Sequence, residues 1–392
     1  MLKILTVFGT RPEAIKMAPL IRELQGQRER ITCRVAVTAQ HREMLDQVLE
    51  LFHIEPAYDL DIMAPGQSLF DITRRALTGL EQVLAAEEPD LVLVHGDTTT
   101  TFVAALAAFY RQIPVGHVEA GLRTGNKYSP FPEEMNRHLT GVVADLHFAP
   151  TATARANLLR EGVAPEKIFV TGNTVIDALL ATVDPGYRFH DPILESINYR
   201  ERRVLLVTTH RRENLGEPMR DIYLALRDIV TAYDDVEIVF PVHRNPRVRQ
   251  VVREVLGELP RVHLIEPLSY LPFVHLMDRC YLVLTDSGGM QEEAPALGKP
   301  VLVLRDTTER PEAVEAGTVR LVGTGRQAVR DETARLLDDP AHYRQMAEAV
   351  NPYGDGRAAR RICRAILYHF GLAAEPPEPF QPSGFCIKGS AL

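Results

Sequence analysis

Cysteine is scarce in this sequence, and its spacing suggests no site. The four residues Cys33, Cys280, Cys363 and Cys386 form no Cys-x-x-Cys pair, which argues against a zinc ribbon or a thioredoxin-type centre. Scattered thiols of this kind suit a reducing compartment. Long apolar runs are also missing. None approaches the ~18 residues of a membrane span. The opening segment, residues 1–9, is too short for a signal peptide and runs straight into Arg11-Pro12-Glu13. The expectation is a cytoplasmic protein with no membrane partner. Basic charge is in deficit, with 44 Lys and Arg against 52 Asp and Glu and a net charge of −8. That balance argues against a nucleic-acid partner, which calls for a basic face. An anionic substrate must then be held by a local cluster of cations. No GxxxxGK[ST] segment is present, so the chain has no P-loop.

What is present is the composition of an ordinary globular protein, 45% hydrophobic and 24% charged over 392 residues. At roughly 150 residues per domain, this length predicts two or three domains with cores of their own. Short apolar runs alternate with longer amphipathic ones. Strands are expected at 4–8, 34–38, 91–95, 115–118, 147–149 and 168–171. A second series follows at 204–208, 237–240, 263–265, 281–285, 301–304 and 320–322. Helical patterns lie between them, as at 14–24, 69–86 and 332–337. Such alternation predicts an α/β chain with two doubly wound, Rossmann-like parallel sheets. The pattern breaks around 181–202, where Asp184-Pro185-Gly186 and Asp191-Pro192 mark a linker. The expected domains are therefore 1–185 and 186–354. A helix at about 355–371 is expected to join the first domain. The tail 372–392, with Pro376, Pro377, Pro379 and Pro382, is expected to be disordered. Two open sheets in one chain predict domains facing a central cleft, with ligand residues just after the strands.

Several segments meet that condition. Gly9-Thr10-Arg11-Pro12-Glu13 follows the first strand. Thr10 and Glu13 have capping-box spacing, and Pro12 suits a first helical turn. Such a start offers N–H groups to an anion, with Arg11 and Lys16 adding charge. The bland alternative is a capped helix carrying two solvated bases. Asp97 ends another strand, and as a mere N-cap it needs no function. Glu119 ends the very apolar strand at 115–118, where a carboxylate is costly without a partner. Glu133, followed by Arg137, can be explained as first-turn dipole compensation. Convergence favours function, because Asp97, Glu119 and Glu133 would project from one rim and suit acid–base work.

The second series adds His210 beside Arg211 and Arg212, then His243 after the next strand. Asp286-Ser287-Gly288-Gly289 opens a helix containing Gln291, Glu292 and Glu293. Glycines there let backbone N–H groups approach a phosphate, and the carboxylates can reach ribose hydroxyls. Gly323-Thr324-Gly325 with Ala328 matches GxGxxA, but it comes late in the series with no acidic strand end about 20 residues on. We reject it as a dinucleotide site.

Together, GTRPEAIKMAPL, VHGDTTTT, HVEAGLRT, PFPEE, HRREN, PVHRNP, TDSGGMQEEAPALGKPV, RDTTERPEA and NPYGDG resemble the bacterial non-hydrolysing UDP-N-acetylglucosamine 2-epimerases. The resemblance runs from about residue 3 to about residue 371. It implies a glycosyltransferase-B-like fold and a homodimer, with no metal and no nicotinamide or other cofactor. It implies reversible inversion of UDP-N-acetylglucosamine at C2, supplying a precursor of bacterial surface polysaccharide. By resemblance, Arg11, Lys16, Asp97, Glu119 and His210 match substrate-site residues. Ser287, Gly288 and Gly289 match the diphosphate loop, and Glu293 the ribose carboxylate, with Glu292 as its alternative. Phe273 and Leu268 match the uracil pocket, and Arg310 a UDP contact. Arg137 joins the substrate-binding set. Some relatives bind a second UDP-N-acetylglucosamine as an activator, for which Gln40, Gln67, Arg211 and His243 are candidates.

The C2 proton is not acidic, because no neighbouring carbonyl stabilises a carbanion. Elimination of UDP across C1–C2 solves this, since the leaving diphosphate takes the electrons. The resemblance supports this route through 2-acetamidoglucal. Asp97, Glu119 and Glu133 are the acid–base candidates, and His210 would assist the leaving group. The rival readings are a UDP-sugar glycosyltransferase, a hydrolysing epimerase and a silent UDP-sugar sensor. Fold alone does not separate them.

Overall fold

The computed structural model describes residues 1–40 and 42–382. Cys386 and the tail from 383 lie outside the described residues. Among the described residues the chain divides into two compact units, 1–178 with 353–381, and 179–352. The crossings fall at 178/179 and 352/353, against the 185/186 expected from the Asp-Pro signals and the crossing at about 354/355 expected from the position of the last helix.

The first unit holds strands β1 (Leu2–Phe8), β2 (Ile31–Val37), β3 (Tyr58–Asp59), β4 (Leu91–His95), β5 (Val115–Val118), β6 (Leu146–Ala149) and β7 (Ile168–Val170). They form one sheet in the order β3-β2-β1-β4-β5-β6-β7, and every adjacent pair is parallel. β4 and β5 are buried along their whole length. That explains their continuous apolar sequence, since a parallel sheet is covered on both faces. The core on one side is made by Leu5, Val7, Val92 and Val94 against Ala76, Leu80, Val103 and Ala107 of the flanking helices.

The second unit holds β8 (Arg203–Thr208), β9 (Val236–Pro241), β10 (Val262–Ile265), β11 (Leu282–Thr285), β12 (Val301–Val303) and β13 (Val319–Leu321). Their order is β10-β9-β8-β11-β12-β13, again all parallel. Leu205, Val207, Ile238, Phe240 and Leu284 pack on Ile222, Leu226, Val248 and Val252.

In each sheet the chain reverses its order of winding at one place, between β1 and β4 and between β8 and β11. Loops leaving the carboxyl ends of such neighbouring strands diverge and open a crevice, which is where α/β sheets bind ligands. The rejected GxGxxA segment follows β13, an edge strand, far from that position in its sheet.

The last helix, Ala358–His369, packs on the first, Arg11–Gly26, and belongs to the first unit. Asp177 fastens its start, accepting the N–H groups of Ala358 at 3.1 Å and Ala359 at 2.8 Å. The tail departs from the expectation of disorder as far as Phe380. Phe380 is 5% exposed, its N–H donates to Val170 O at 2.8 Å, and the Arg361 guanidinium lies 5.4 Å from its ring. One aromatic anchor and one edge hydrogen bond to the sheet hold a segment whose prolines suggested none.

Candidate active site

In the first unit the site grows from the helix that follows β1. Pro12 stands in its first turn, and the Thr10 N–H and hydroxyl both donate to Glu13, at 2.8 and 2.7 Å. Glu13 reaches further than a capping box requires. Its other oxygen accepts from the Thr98 and Thr101 hydroxyls, at 2.8 and 3.1 Å. The loops after β1 and β4 are thereby tied together across the switch point. Burial raises the Glu13 pKa against these hydrogen bonds. Gly9 is required by close approach, since a Cβ there would lie 2.1 Å from Thr38 Oγ1 and 2.6 Å from Thr100 Oγ1.

Asp97 does not cap the helix Thr99–Tyr110. Thr98 does so, its hydroxyl accepting from Thr101 N–H at 3.1 Å. The Asp97 carboxylate instead accepts from Arg137 Nη2 at 2.6 Å, while Asn136 Nδ2 donates to its carbonyl at 2.9 Å. Burial raises the Asp97 pKa. Arg137 and Lys16 oppose that shift, and Glu119 and Glu133 add to it. Glu133 is the first residue of the helix Glu133–Val143, so its dipole role holds alongside its influence on Asp97. The adjacent Glu134 is 1% exposed and accepts the N–H groups of Thr124 and Gly125.

Glu119, one residue past β5, has φ +61°. A non-glycine residue in the left-handed region costs roughly 1–3 kcal/mol and tends to mark a functional site. Its carboxylate lies 2.5 Å from Lys16 Nζ and accepts from Asn173 Nδ2 at 2.7 Å. His95 Nε2 stands 3.9 Å away. Burial lowers the His95 pKa to about 4, against the pull of Glu119, so this imidazole is neutral near pH 7. Asn173 was missed by the sequence reading, although it follows β7 at the same rim. Arg11 is half-buried at the head of its helix. Gln40 and Gln67 each have a buried Oε1 with no hydrogen-bond partner among the described residues. Asp97, Glu119, Glu133, Lys16 and Arg137 thus form one electrostatic cluster.

In the second unit, Asp286 follows β11 and is fully buried. It accepts the backbone N–H groups of His210 and Arg211, at 3.0 and 2.9 Å, and Asn214 Nδ2 at 3.2 Å. Burial pushes its pKa up, but His210 and these N–H groups outweigh that and leave it lowered. Its role was also missed. Arg211 Nε donates to Asp286 O and Nη2 to Glu309, each at 3.2 Å, and a Cβ on Gly288 would lie 3.9 Å from Arg211 Nη2. Arg211 therefore borders the glycine loop. Glu309 also takes Arg305 Nη1 at 2.7 Å. Its pKa is lowered to about 2, burial being overcome by these arginines. The His243 ring lies 6.0 Å from that of His210.

Ser287 and Gly288 are half-buried and Gly289 is exposed. Glu292 and Glu293 separate clearly. Glu292 is buried and bonded to Arg310 Nε, whereas a Cβ on Gly289 would meet Glu293 Oε1 at 3.3 Å. Thr308 Oγ1 donates to Gln291 Oε1 at 2.6 Å and fastens the Arg310 loop to the same helix. Leu268 lies between β10 and the helix Tyr270–Arg279, which carries Phe273, and both are half-buried.

A family model described as UDP-N-acetylglucosamine 2-epimerase matches residues 22–367. The chain is 58% identical to the UDP-N-acetylglucosamine 2-epimerase of Bacillus subtilis strain 168 over 379 residues, 97% of this chain and 98% of that one. It is 58% identical to that of Escherichia coli K12 over 378 residues, 93% and 98% of the two chains. Among solved structures, it resembles the Neisseria meningitidis UDP-GlcNAc 2-epimerase bound to UDP-GlcNAc at 53% identity and a TM-score of 0.83, covering 94% and 100%. A Listeria monocytogenes protein described as a UDP-N-acetylglucosamine 2-epimerase matches at 56% identity and a TM-score of 0.92, covering 97% and 99%. A glycotransferase of kitacinnamycin, 15% identical with a TM-score of 0.61, shares the fold alone, over 95% and 99%. With these matches spanning nearly its whole length, the chain belongs to the UDP-N-acetylglucosamine 2-epimerase family.

Proposed function

We propose that this chain reversibly converts UDP-N-acetylglucosamine to UDP-N-acetylmannosamine by eliminating UDP and adding it back. The observation that carries this reading is the Glu119 carboxylate, held in a strained conformation between Lys16 and Asn173 with Asp97 in the same electrostatic cluster. Epimerisation through a glycal needs two acid–base groups, one for each face of C2. In the forward step a carboxylate takes the C2 proton. The C–H electrons form the C1=C2 bond, and the C1–O bond breaks with its pair leaving on the diphosphate. In the return step a carboxyl donates a proton to C2 from the other face, and the diphosphate oxygen closes on C1. Asp97, Glu119 and Glu133 are the candidates, and Arg137 holds the Asp97 carboxylate in place.

Stabilising the departing diphosphate is the second requirement. We assign this to Arg11, the Ser287–Gly289 loop, Arg310 and His210, with Glu293 on the ribose and Leu268 and Phe273 at the uracil. We further assign Gln40, Gln67, Arg211 and His243 to a second, activating UDP-N-acetylglucosamine. We propose that the enzyme works in the cytoplasm, feeding surface polysaccharide synthesis, and pairs as a homodimer. Phe109, Tyr110 and Val142 are exposed at the carboxyl ends of two neighbouring helices and support such a contact.

The test is product analysis of the purified protein incubated with UDP-N-acetylglucosamine alone. UDP-N-acetylmannosamine is expected. Free UDP with free N-acetylmannosamine would mean hydrolysis. No product, with binding shown separately, would favour the transferase or sensor readings.

A further inference from the structure

The pair formed by His210 and Asp286 sits at the switch point of the second sheet. Thr208 ends β8 opposite Thr285, which ends β11. Asp286 follows its strand directly and His210 follows after Thr209, on diverging loops. A fully buried carboxylate is costly unless hydrogen-bonded, and the backbone N–H groups of His210 and Arg211 with Asn214 Nδ2 largely meet that cost. One contact goes further. His210 Nδ1 lies 3.1 Å from Asp286 Oδ1, while the His210 side chain is 42% exposed. The other groups around the ring are His243, stacked at 6.0 Å, and Arg211, whose charge is shared with Glu309.

We infer that Asp286 is a positioning residue for His210, fixing the imidazole with its hydrogen on Nδ1 and leaving Nε2 as the nitrogen available to a ligand. Histidine has two neutral tautomers, and the hydrogen bond made by one nitrogen determines the state of the other. With Asp286 on Nδ1, a second proton goes to Nε2 and makes an imidazolium whose charge the carboxylate supports, as in other histidine–carboxylate pairs. That cation can donate to a diphosphate oxygen as the C1–O bond breaks. In the return step Nε2 releases this contact as the oxygen rejoins C1. This role rests on the epimerase reading, but the tautomer itself does not.

The test combines ring-nitrogen NMR with steady-state kinetics. The 13 histidines are labelled with nitrogen-15, and His210→Gln identifies the His210 signals. At a pH where the ring is neutral, the wild type should show the Nδ1–H form. Asp286→Asn should move His210 toward the Nε2–H form and lower kcat roughly tenfold or more, with KM changed by less than about threefold. Asn214→Ala removes another Asp286 partner without touching the ring contact, so it should leave tautomer and kcat near wild type. An unchanged tautomer in Asp286→Asn, or an equal kcat loss in Asn214→Ala, would overturn the inference and reduce Asp286 to a loop anchor. A wild type that shows the Nδ1–H form yet turns over no substrate would instead remove the epimerase reading and leave the pairing standing.

Discussion

Lys16 Nζ lies 2.5 Å from Glu119 Oε2, joining residues 103 positions apart in the sequence. The ammonium comes from the second turn of a helix whose start is fixed by Glu13. The carboxylate comes from a residue at φ +61°. Neither local conformation alone places the charges together. A folded sheet that brings the ends of β1 and β5 to one rim does so.

If that pair is the acid–base element, Glu119→Gln should keep the fold and lose roughly 10²–10⁴-fold in kcat. Lys16→Met should also cost activity, and should lower stability by leaving Glu119 without its cation. Initial rates and thermal unfolding of both variants check this. Near-normal turnover in Glu119→Gln would remove Glu119 from the chemistry.

Arg137 gives a test in pH. Burial raises the Asp97 pKa, and the Arg137 guanidinium partly opposes it. Replacing Arg137 with Met removes a cation that favours the ionised form, so the Asp97 pKa must rise. The limb of the kcat profile governed by Asp97 should then move to higher pH. A profile that loses amplitude without moving would show that Asp97 does not set that limb.

The adjacent acids Glu292 and Glu293 should separate by phenotype. Glu292 is 3% exposed and paired with Arg310. Glu292→Gln should therefore lower the melting temperature. Glu293, beside Gly289, should behave as a ligand group, and Glu293→Gln should raise KM with little change in melting. Isothermal titration with UDP and thermal unfolding distinguish the two. The opposite pattern would move the ribose contact to Glu292.

Asp177 is predicted to set part of the pH dependence of stability. Burial raises its pKa from 3.8 to about 7, against the N–H groups of Ala359 and Ala358. Between those values the unfolded carboxyl is ionised while the folded one keeps its proton. Unfolding then releases a proton, and stability falls by about 1.4 kcal/mol per pH unit across that window. The contribution is fully present below pH 3.8 and lost as pH rises through about 7. Denaturant melts at pH 5 and 8 should show a smaller drop in Asp177→Asn than in the wild type. An equal drop would place the titration elsewhere.

Much of this was legible in the sequence, because parallel strands buried on both faces write themselves as apolar runs such as 91–95 and 115–118. What such runs could not show was β3, two residues long and held by pairing with Ala36 and Val37. The residues just after the strands were legible too, and Thr10 with Glu13 announced a helix start. Less legible were the contacts that join distant loops. Asp286 reads as one more helix-opening acid until the fold brings it against His210, 76 positions away. Asn173 shows no local signal beyond its place after a strand. Phe380 lay hidden among prolines, which report on backbone preference and not on where one aromatic ring finds a slot.

The most direct test of the central claim is proton NMR of the purified protein with UDP-N-acetylglucosamine in D2O. The account predicts UDP-N-acetylmannosamine carrying deuterium at C2, with little free UDP, because the C2 proton is removed and replaced from solvent while UDP stays bound. Product that forms with its C2 proton fully retained would contradict the elimination and re-addition assigned to Asp97, Glu119 and Glu133.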